Sequence, residues 1–283
     1  MIKEMLKKGF EVEQEEQAKE EAKKVGNLRG GSCGAYFNGM TVGTCPRVTL
    51  LRKLGFQKGI DQTTDMIFEA GRANEEYLFR LFKKSPDVLF VANDYPMIDN
   101  DTFDATWSGR TDFYVRRKDG TEFVVESKCM VSQWPLFKLV KEDKPKLIAV
   151  LQLANYMNSL KMTEGYVIYS HYFIAEKGFK EKRVRYTPKI YEWKVDISGD
   201  TITYISESGV VTDTHIKLEH LKDYYDLIEQ AEADKLLPDP PAWQAFQSYD
   251  GCGYCDFSKQ CEEYDSGAID YNEFMKEIEL ECK

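Results

Sequence analysis

Long hydrophobic runs are missing from this chain, histidine is scarce, and negative charge exceeds positive charge. No apolar run approaches the roughly 20 residues that a membrane-spanning helix needs, and the N-terminal segment lacks the apolar core of a signal peptide. The 283 residues include 3 histidines, and 38 Lys+Arg against 48 Asp+Glu give a net charge of -10. This balance excludes a histone-like coat protein, but it is compatible with one local basic groove. We therefore expect a cytoplasmic protein with no membrane partner.

The chain has enough apolar residues for a large buried core. Hydrophobic residues make up 42% and aromatic residues 13% of the chain, so global disorder is not expected. The apolar period predicts helices over residues 45–56, 64–84, 147–161 and 216–233, and strands over residues 88–94, 108–115, 122–129, 164–173, 183–196 and 201–206. This order predicts an α/β fold in which a central mixed sheet is flanked by helices.

Composition divides the chain into four segments. Residues 1–30 are a charged arm, predicted to be an exposed or partner-bound helix, with a solvated, frayed arm as the alternative. Residues 31–62 form an N-terminal helical segment, residues 63–235 the α/β core, and residues 236–283 a helical, cysteine-bearing C-terminal region. Residues 26–44, across the first boundary, are rich in glycine and predicted to be a loop. The period of the 64–84 helix predicts one buried stripe: Ile67, Phe68, Tyr77, Leu78, Leu81 and Phe82.

Seven cysteines are present, and three of them lie within ten residues near the C-terminus. Cys252, Cys255 and Cys261 have the spacing C-x2-C-x5-C, which can place three thiolates around one metal centre. In a reducing compartment such a cluster indicates metal ligation before disulfides. A fourth ligand must come from elsewhere in the chain, with Cys45 and Cys33 as candidates. Four thiolates suit either zinc or an iron–sulfur cluster.

A carboxylate–lysine pattern lies in the central strands. Glu126 and Lys128 are two residues apart on one strand and therefore share a face. If the preceding hairpin turns about Asp119, Asp112 lies directly opposite Glu126, where Cβ atoms are ~4.5–5.5 Å apart. Two carboxylates that close repel each other unless a cation lies between them, and Mg²⁺ or Mn²⁺ prefers such oxygen ligands. The alternative is an ordinary hairpin with a solvated aspartate and a surface Glu/Lys pair.

These residues and their neighbours resemble the PD-(D/E)xK nuclease superfamily, in particular its RecB-like branch, which includes Cas4 and phage-encoded exonucleases. Residues 109–112 (GRTD) are similar to the family's Gly-x-x-Asp element, and residues 126–128 (ESK) to its Glu-x-Lys element. Residues 71–76 (GRANEE) resemble its Gly-x-x-x-His-Glu element, with Glu75 in place of the metal-binding histidine and Glu76 as the alternate. Gln152 and Tyr156 match a Gln-x-x-x-Tyr element on the following helix.

The resemblance implies a restriction-endonuclease-like core and a metal-dependent DNA exonuclease that hydrolyses phosphodiester bonds at DNA ends. Mg²⁺ or Mn²⁺ would be held by Glu75, Asp112 and Glu126, with the Ser127 carbonyl as an extra ligand. Lys128 would position or deprotonate the attacking water, while two residues of the helix, Gln152 and Tyr156, would hold the DNA strand. Phage recombination or DNA processing is the implied context. The alternatives are a CRISPR-adaptation nuclease that trims spacer precursors and a catalytically silent DNA-binding module.

The resemblance also bears on the cysteines and on partners. Cas4-like and AddB-like nucleases have an N-terminal cysteine, commonly followed by Pro-Arg, that joins three C-terminal cysteines on a [4Fe–4S] cluster. Residues 45–47 (CPR) match this element, so the resemblance implies Cys45 as the fourth ligand, with zinc as the lesser alternative. DNA ends, single- or double-stranded, are the expected partner, together with a homo-oligomer or a recombination or adaptation protein. The cell would be bacterial, archaeal or a phage-infected host.

A DNA-end nuclease needs a cationic path for phosphates despite the acidic composition. For each basic residue considered below, the alternative is an ordinary solvated charge on the surface. The candidates are Lys138, Lys141, Lys144 and Lys146 before the central helix, with Arg47, Arg52 and Lys53 near the N-terminal cysteine. Trp134 and Phe137 are candidates for stacking on unpaired bases. Lys138 and Arg47, together with Gln152 and Tyr156, form the predicted DNA-binding set.

Overall fold

The computed structural model describes residues 2–23, 25–29, 31–56, 60–99, 107–130, 139–176, 185–241, 252 and 255–282. Its helices are α1 (Ile2–Ala22), α2 (Pro46–Lys53), α3 (Gln62–Lys84), α4 (Leu147–Ser159), α5 (Leu218–Asp234), α6 (Ser258–Asp265) and α7 (Tyr271–Glu281). Its strands are β1 (Leu28–Arg29), β2 (Gly34–Phe37), β3 (Met40–Gly43), β4 (Val88–Asp99), β5 (Trp107–Arg117), β6 (Glu122–Cys129), β7 (Glu164–Glu176), β8 (Arg185–Ser198), β9 (Thr201–Ile205) and β10 (Val211–Lys217). The predicted central helices and strands are thus all present.

Eight strands form one mixed sheet in the order β1-β5-β6-β7-β8-β9-β10, with β4 also paired to β5. The β1–β5 and β6–β7 pairs are parallel, and the other pairs are antiparallel. Strands β2 and β3 form a separate hairpin. The predicted α/β architecture, a central mixed sheet flanked by helices, is confirmed.

Alternation along the strands divides the core between the two faces of this sheet. On one face Phe113, Val115 and Val125 pack with Leu78 of α3. On the other face Tyr114 and Val124 join a larger core that includes α4 and α5. Because β5 and β6 contribute to both cores, their backbones are held firmly where the predicted site residues begin.

The hairpin between β5 and β6 has the register that the sequence predicted. Phe113 pairs with Val125 and Arg116 with Glu122, so the hairpin is centred on Asp119. Continuing this register by one residue places Asp112 opposite Glu126, just beyond the last paired residues.

Two sequence predictions about the N-terminal half were wrong. Residues 26–44 contain strand β1 and the β2–β3 hairpin, because their glycines permit close packing as well as loops. The expected stripe on α3 is rotated. Ile67, Phe68, Tyr77 and Leu81 are between 42% and 50% exposed. The helix is oriented by buried Leu78 and by buried Asn74, which is hydrogen-bonded to neighbouring strands.

The two longest helices, α1 and α3, have 21 and 23 residues. Both are rich in charged side chains along much of their length. Within the described ranges, no helix combines the length and the apolar character needed to cross a membrane. Their polar composition agrees with the acidic, charged composition of the whole chain.

Gly34 and Gly71 form a matched pair for testing the packing. A Cβ at Gly34 would lie 2.5 Å from Tyr224 Cε2 and 2.7 Å from the Val42 carbonyl oxygen, whereas one at Gly71 in α3 would meet nothing within 4 Å. We expect Gly34→Ala to lower the free energy of unfolding by about 1–3 kcal/mol and Gly71→Ala to raise it by about 0.5–1 kcal/mol. Urea unfolding of both variants checks this. Equal effects of the two substitutions would contradict the close approach of β2 to α5.

Candidate active site

Asp112, Glu126 and Lys128 come together at the point where the β5–β6 ladder ends. Glu126 is fully buried, and its Oε1 forms an ion pair with Nζ of Lys128. The backbone N–H of Ser127 donates a hydrogen bond to Oδ2 of Asp112 at 2.6 Å. The predicted shared face of Glu126 and Lys128 is therefore confirmed, and Asp112 is fixed to the backbone between them.

Helix α3 is attached to this point by buried polar contacts. The side-chain amide of Asn74 lies 3.5 Å from Ser127 Oγ, and Ser170 Oγ donates to Asn74 Oδ1 at 2.9 Å. This attachment turns the adjacent Glu75 toward the strands, where it is half-buried, while Glu76 remains exposed. The charge of Asp112 acts on Glu75. Of the two glutamates that the sequence offered, Glu75 is the one near the site.

The electrostatics of the site are those of crowded, buried carboxylates. Burial and the charge of Glu126 raise the pKa of Asp112 to about 8. Burial, Asp112 and Asp94 raise the pKa of Glu75 to about 7. Burial also raises the pKa of Glu126, although Lys128 opposes this shift. Burial opposes the charged form of Lys128, but the negative charges of Glu126 and Asp112 raise its pKa overall, so it is an ammonium ion.

One oxygen of this site has no partner. Glu126 Oε2 is buried and accepts no hydrogen bond from any described residue. A buried carboxylate oxygen without a donor is costly, and a divalent cation among Asp112, Glu126 and Glu75 would supply the missing partner. Carboxylate oxygens are the type of donor that Mg²⁺ and Mn²⁺ prefer. As placed, no three His, Cys, Asp or Glu residues in the described part of the chain are close enough to surround one ion.

Gln152 and Tyr156 share a face of α4, as the spacing predicted. The side-chain amide of Gln152 donates to Tyr156 Oη at 2.9 Å. The Tyr156 ring is 2% exposed and lies 6.0 Å from the Trp107 ring. Burial and the charge of Glu126 raise the pKa of Tyr156. In this arrangement Gln152, which is partly exposed, is the residue available to a ligand, and Tyr156 supports it from the core.

Asp94 is a carboxylate near the site that the sequence patterns did not single out. It lies in β4, at the end of the run predicted as a strand, and its charge acts on both Asp112 and Glu75. The sequence signal that could have found it is an aspartate at the end of a largely apolar strand segment, because aspartate is depleted in strands.

The four predicted cluster cysteines come from the two ends of the chain. Cys45 precedes α2, and Cys261 lies in α6. Burial raises the pKa of Cys45 to about 11, and the charges of Cys261 and Cys255 add to this shift. Burial and the charge of Cys252 raise the pKa of Cys255. None of the seven cysteines, each of which lies within the described residues, forms a disulfide bond.

The competing ligand, Cys33, lies elsewhere in the core. Its side chain is fully buried, and its thiol donates to the Ile148 carbonyl at 3.6 Å. Burial raises the pKa of the Cys33 thiol, and the charged groups that act on it are Glu126 and Lys128, not the other cysteines. The arrangement therefore favours Cys45 over Cys33 as the fourth thiolate of a soft-metal site.

Arg47 is placed differently from its predicted role on DNA. It is 3% exposed; its two terminal nitrogens donate to the Asp265 carboxylate at 2.9 and 2.6 Å, and Nε donates to the Pro238 carbonyl at 2.7 Å. It also contacts Cys261. Arg47 therefore joins α2 to the C-terminal region and presents no free cation to a phosphate.

The other basic candidates divide between the interior and the surface. Lys53 is buried in ion pairs with Glu229 and Glu232, and Arg52 donates to Ser32 Oγ at 2.8 Å. Three lysines remain exposed residues, namely Lys141, Lys144 and Lys146, although burial and the charge of Lys128 lower the pKa of Lys146. Lys138, Trp134 and Phe137 lie outside the described residues.

Comparison with known proteins gives only remote likenesses. No family model matches the chain, and no curated protein matches its sequence. The crystal structure of SSO0001 is 13% identical, with 91% of this chain and 94% of that chain covered and a TM-score of 0.47. An alkaline exonuclease (LHK-Exo) from Laribacter hongkongensis is 15% identical, with 53% and 72% covered and a TM-score of 0.37. The LHK-Exo complex with dAMP is 14% identical, with 76% and 94% covered and a TM-score of 0.42. Likenesses this low do not assign a family.

The raised carboxylate pKa values predict how stability depends on pH. The pKa of Asp112 is about 8 in the folded chain and about 4 in an unfolded one. The folded state therefore binds the proton more tightly, and raising the pH between these values destabilises it. In EDTA, we expect the free energy of unfolding to fall by on the order of a few kcal/mol between about pH 5 and 9.

Urea unfolding of wild type and of Asp112→Asn across this pH range checks the prediction. The variant should lose the part of the dependence that Asp112 contributes, because a neutral amide replaces that carboxyl group. Glu75 and Glu126, whose pKa values burial also raises, still titrate in the variant. Asp200→Asn, in an exposed turn, is the matched control and should follow the wild type. If Asp112→Asn had the wild-type slope, Asp112 would not be one of the groups that cause the pH dependence.

Proposed function

We propose that this protein is a metal-dependent DNA exonuclease that hydrolyses phosphodiester bonds at DNA ends. The observation that supports this best is the unpartnered, fully buried Glu126 Oε2 beside Asp112 and Lys128. An acidic group that is both buried and unsatisfied is expected where a cation completes the site.

The roles of the residues follow from their charges. Asp112, Glu126 and Glu75 would hold Mg²⁺ or Mn²⁺, with the Ser127 carbonyl as an extra ligand; the ion supplies Lewis-acid polarisation and an activated water. Because Lys128 is protonated, it does not deprotonate water. Its ammonium group orients Glu126 and stabilises the negative charge that develops on the phosphate. Gln152, supported by Tyr156, is the polar group that would contact the strand.

The sequence motifs favour a restriction-endonuclease-like, RecB-like or Cas4-like enzyme, and we infer phage recombination or DNA processing as its context. Trimming of spacer precursors in CRISPR adaptation would use the same site. Single- or double-stranded DNA ends would be the substrate, and the exposed Lys141, Lys144 and Lys146 are the described candidates for the cationic path.

We further infer that Cys45, Cys252, Cys255 and Cys261 hold a [4Fe–4S] cluster, with zinc as the lesser alternative. The charges of Cys261 and Cys255 raise the pKa of Cys45, and this electrostatic interaction supports the inference. Burial that raises thiol pKa values also disfavours bare thiolates, so a metal centre is needed to hold them ionised. Such a centre would join α2 to the C-terminal region next to the Arg47–Asp265 ion pair.

Digestion of end-labelled linear DNA tests the nuclease proposal. Wild type should release label with Mn²⁺ or Mg²⁺ and not with EDTA. Lys128→Ala should lower the rate by on the order of 10²–10³-fold, because the ammonium group that faces the developing charge is lost. Lys118→Ala removes an exposed lysine from the turn of the same hairpin and should retain the wild-type rate. Equal activity of the two variants, or an inert wild type that binds DNA, would contradict the proposal.

Anaerobic purification tests the cysteine proposal. Wild type should be brown, with broad absorption near ~400 nm and bound iron and sulfide. Cys45→Ser should lose iron and sulfide, whereas Cys33→Ala should retain them, because the Cys33 thiol is buried in the core and donates to the Ile148 carbonyl. A colourless wild type that contains zinc would mean that the cysteines bind zinc and not an iron–sulfur cluster. If Cys33→Ala lost the metal and Cys45→Ser retained it, Cys33 and not Cys45 would be the fourth ligand.

A further inference from the structure

A buried polar side chain, that of Asn74, joins helix α3 to two strands of the sheet. Its side-chain nitrogen lies 3.5 Å from Ser127 Oγ of β6, and its Oδ1 accepts a hydrogen bond from Ser170 Oγ of β7 at 2.9 Å. Asn74, Ser127 and Ser170 are 1%, 4% and 4% exposed. Val125 and Ile168, two residues before the respective serines, belong to the core under α3, so both serines lie on the face that α3 covers.

Stability alone does not require polar side chains at this position. The neighbouring core of Leu78, Phe113 and Val125 is apolar, and replacing a hydrogen-bonded set with apolar groups of the same shape can leave stability almost unchanged. Apolar contacts are non-directional, whereas hydrogen bonds form only within narrow limits of distance and angle. The contacts of Asn74 therefore define how α3 is rotated and where it lies along the sheet more sharply than apolar packing would.

Both ends of this polar bridge reach a predicted metal ligand. Asn74 immediately precedes Glu75, so the Cα atoms of the two residues are about 3.8 Å apart. Ser127 contacts Asn74 through its side chain, and its backbone N–H donates to Asp112 Oδ2 at 2.6 Å. The distance between the Glu75 and Asp112 carboxylates therefore depends on the contact between Asn74 and Ser127.

We propose that Asn74 is a positioning residue that fixes the span between the Glu75 and Asp112 carboxylates and thereby selects the size of the ion they bind. This inference rests on the metal site of the proposed function and deepens it. Mg²⁺ requires ligands at roughly 2.0–2.1 Å in near-octahedral geometry, whereas Ca²⁺ accepts about 2.3–2.6 Å in a flexible geometry. A rigid span suits the smaller ions, Mg²⁺ and Mn²⁺, and a loosened span weakens this preference.

Binding of Mn²⁺ alone to the full chain, followed by the electron paramagnetic resonance of free Mn²⁺ and repeated with Ca²⁺ as competitor, tests this inference. Asn74→Ala should weaken Mn²⁺ binding by about 10-fold or more, because residues that orient metal ligands contribute this much to affinity. Ca²⁺ binding should weaken less, so the ratio of Mn²⁺ to Ca²⁺ affinity should fall by about threefold or more. Ser170→Ala, which removes only the donor to Asn74, should shift the ratio in the same direction by less, and it serves as the test variant if Asn74→Ala does not fold.

Asn155→Ala is the matched control for a merely structural effect. Asn155 is also a fully buried asparagine, and its side-chain amide donates to the Tyr225 hydroxyl at 3.2 Å, but it lies in α4. Its substitution should lower the free energy of unfolding in urea, because it leaves a buried hydroxyl without its partner, and should leave the affinities for both cations unchanged. A fall in the Mn²⁺ to Ca²⁺ ratio as large as that of Asn74→Ala would overturn the inference.

A double-mutant cycle shows whether Asn74 acts through Glu75. Glu75→Gln alone should weaken Mn²⁺ binding, and Asn74→Ala should then cause a much smaller further loss than it causes in wild type. Additive losses would overturn the inference, as would an Asn74→Ala variant that binds Mn²⁺ and Ca²⁺ as wild type does, and in both cases the proposed nuclease would stand. If wild type binds no Mn²⁺, the inference and the metal-dependent nuclease fail together.

Discussion

Repulsion between buried carboxylates is the constraint on which the rest of this structure depends. Asp112 and Glu126 face each other where two strands separate, and the nearby Lys128 ammonium is paired with Glu126. Holding these charges together requires rigid neighbours. The cores on both sides of β5 and β6 provide them, as do the Ser127 N–H bound to Asp112 and the amide of Asn74. Burial and mutual repulsion raise the pKa values of these carboxyl groups, and perturbed pKa values of this kind cluster at functional sites.

The N-terminal and C-terminal regions meet at a second group of side chains, which consists of ion pairs and the cysteines beside them. Arg47 binds Asp265 with a paired set of hydrogen bonds, and Lys53 is held by Glu229 and Glu232. Buried ion pairs of this kind offer modest net stability, but removing one partner leaves an unpaired buried charge. They therefore specify the register of α2 against α5 and α6, which in turn brings Cys45 near Cys261.

The chemistry near β5 and β6 was predictable because it depends on local rules. The turn at Asp119 fixes the register, and the two-residue period fixes the shared face of Glu126 and Lys128. Glu75 was preferred to Glu76 only through the family resemblance, because the choice depends on how α3 is rotated. Contacts of Asn74 with residues distant in sequence orient that helix. Arg47 was misassigned for a related reason: its partner Asp265 is 218 residues away. Asp94 was missed because a single left-handed residue inside a strand leaves no periodic signal.

Anomalous scattering from crystals grown with Mn²⁺ and a short DNA strand tests the central claim most directly. The account predicts a manganese peak within coordination distance of the Asp112 and Glu126 carboxylates, with the Lys128 ammonium against a phosphate oxygen. Bound DNA with no manganese at these carboxylates, or with its phosphates away from Lys128, would contradict it.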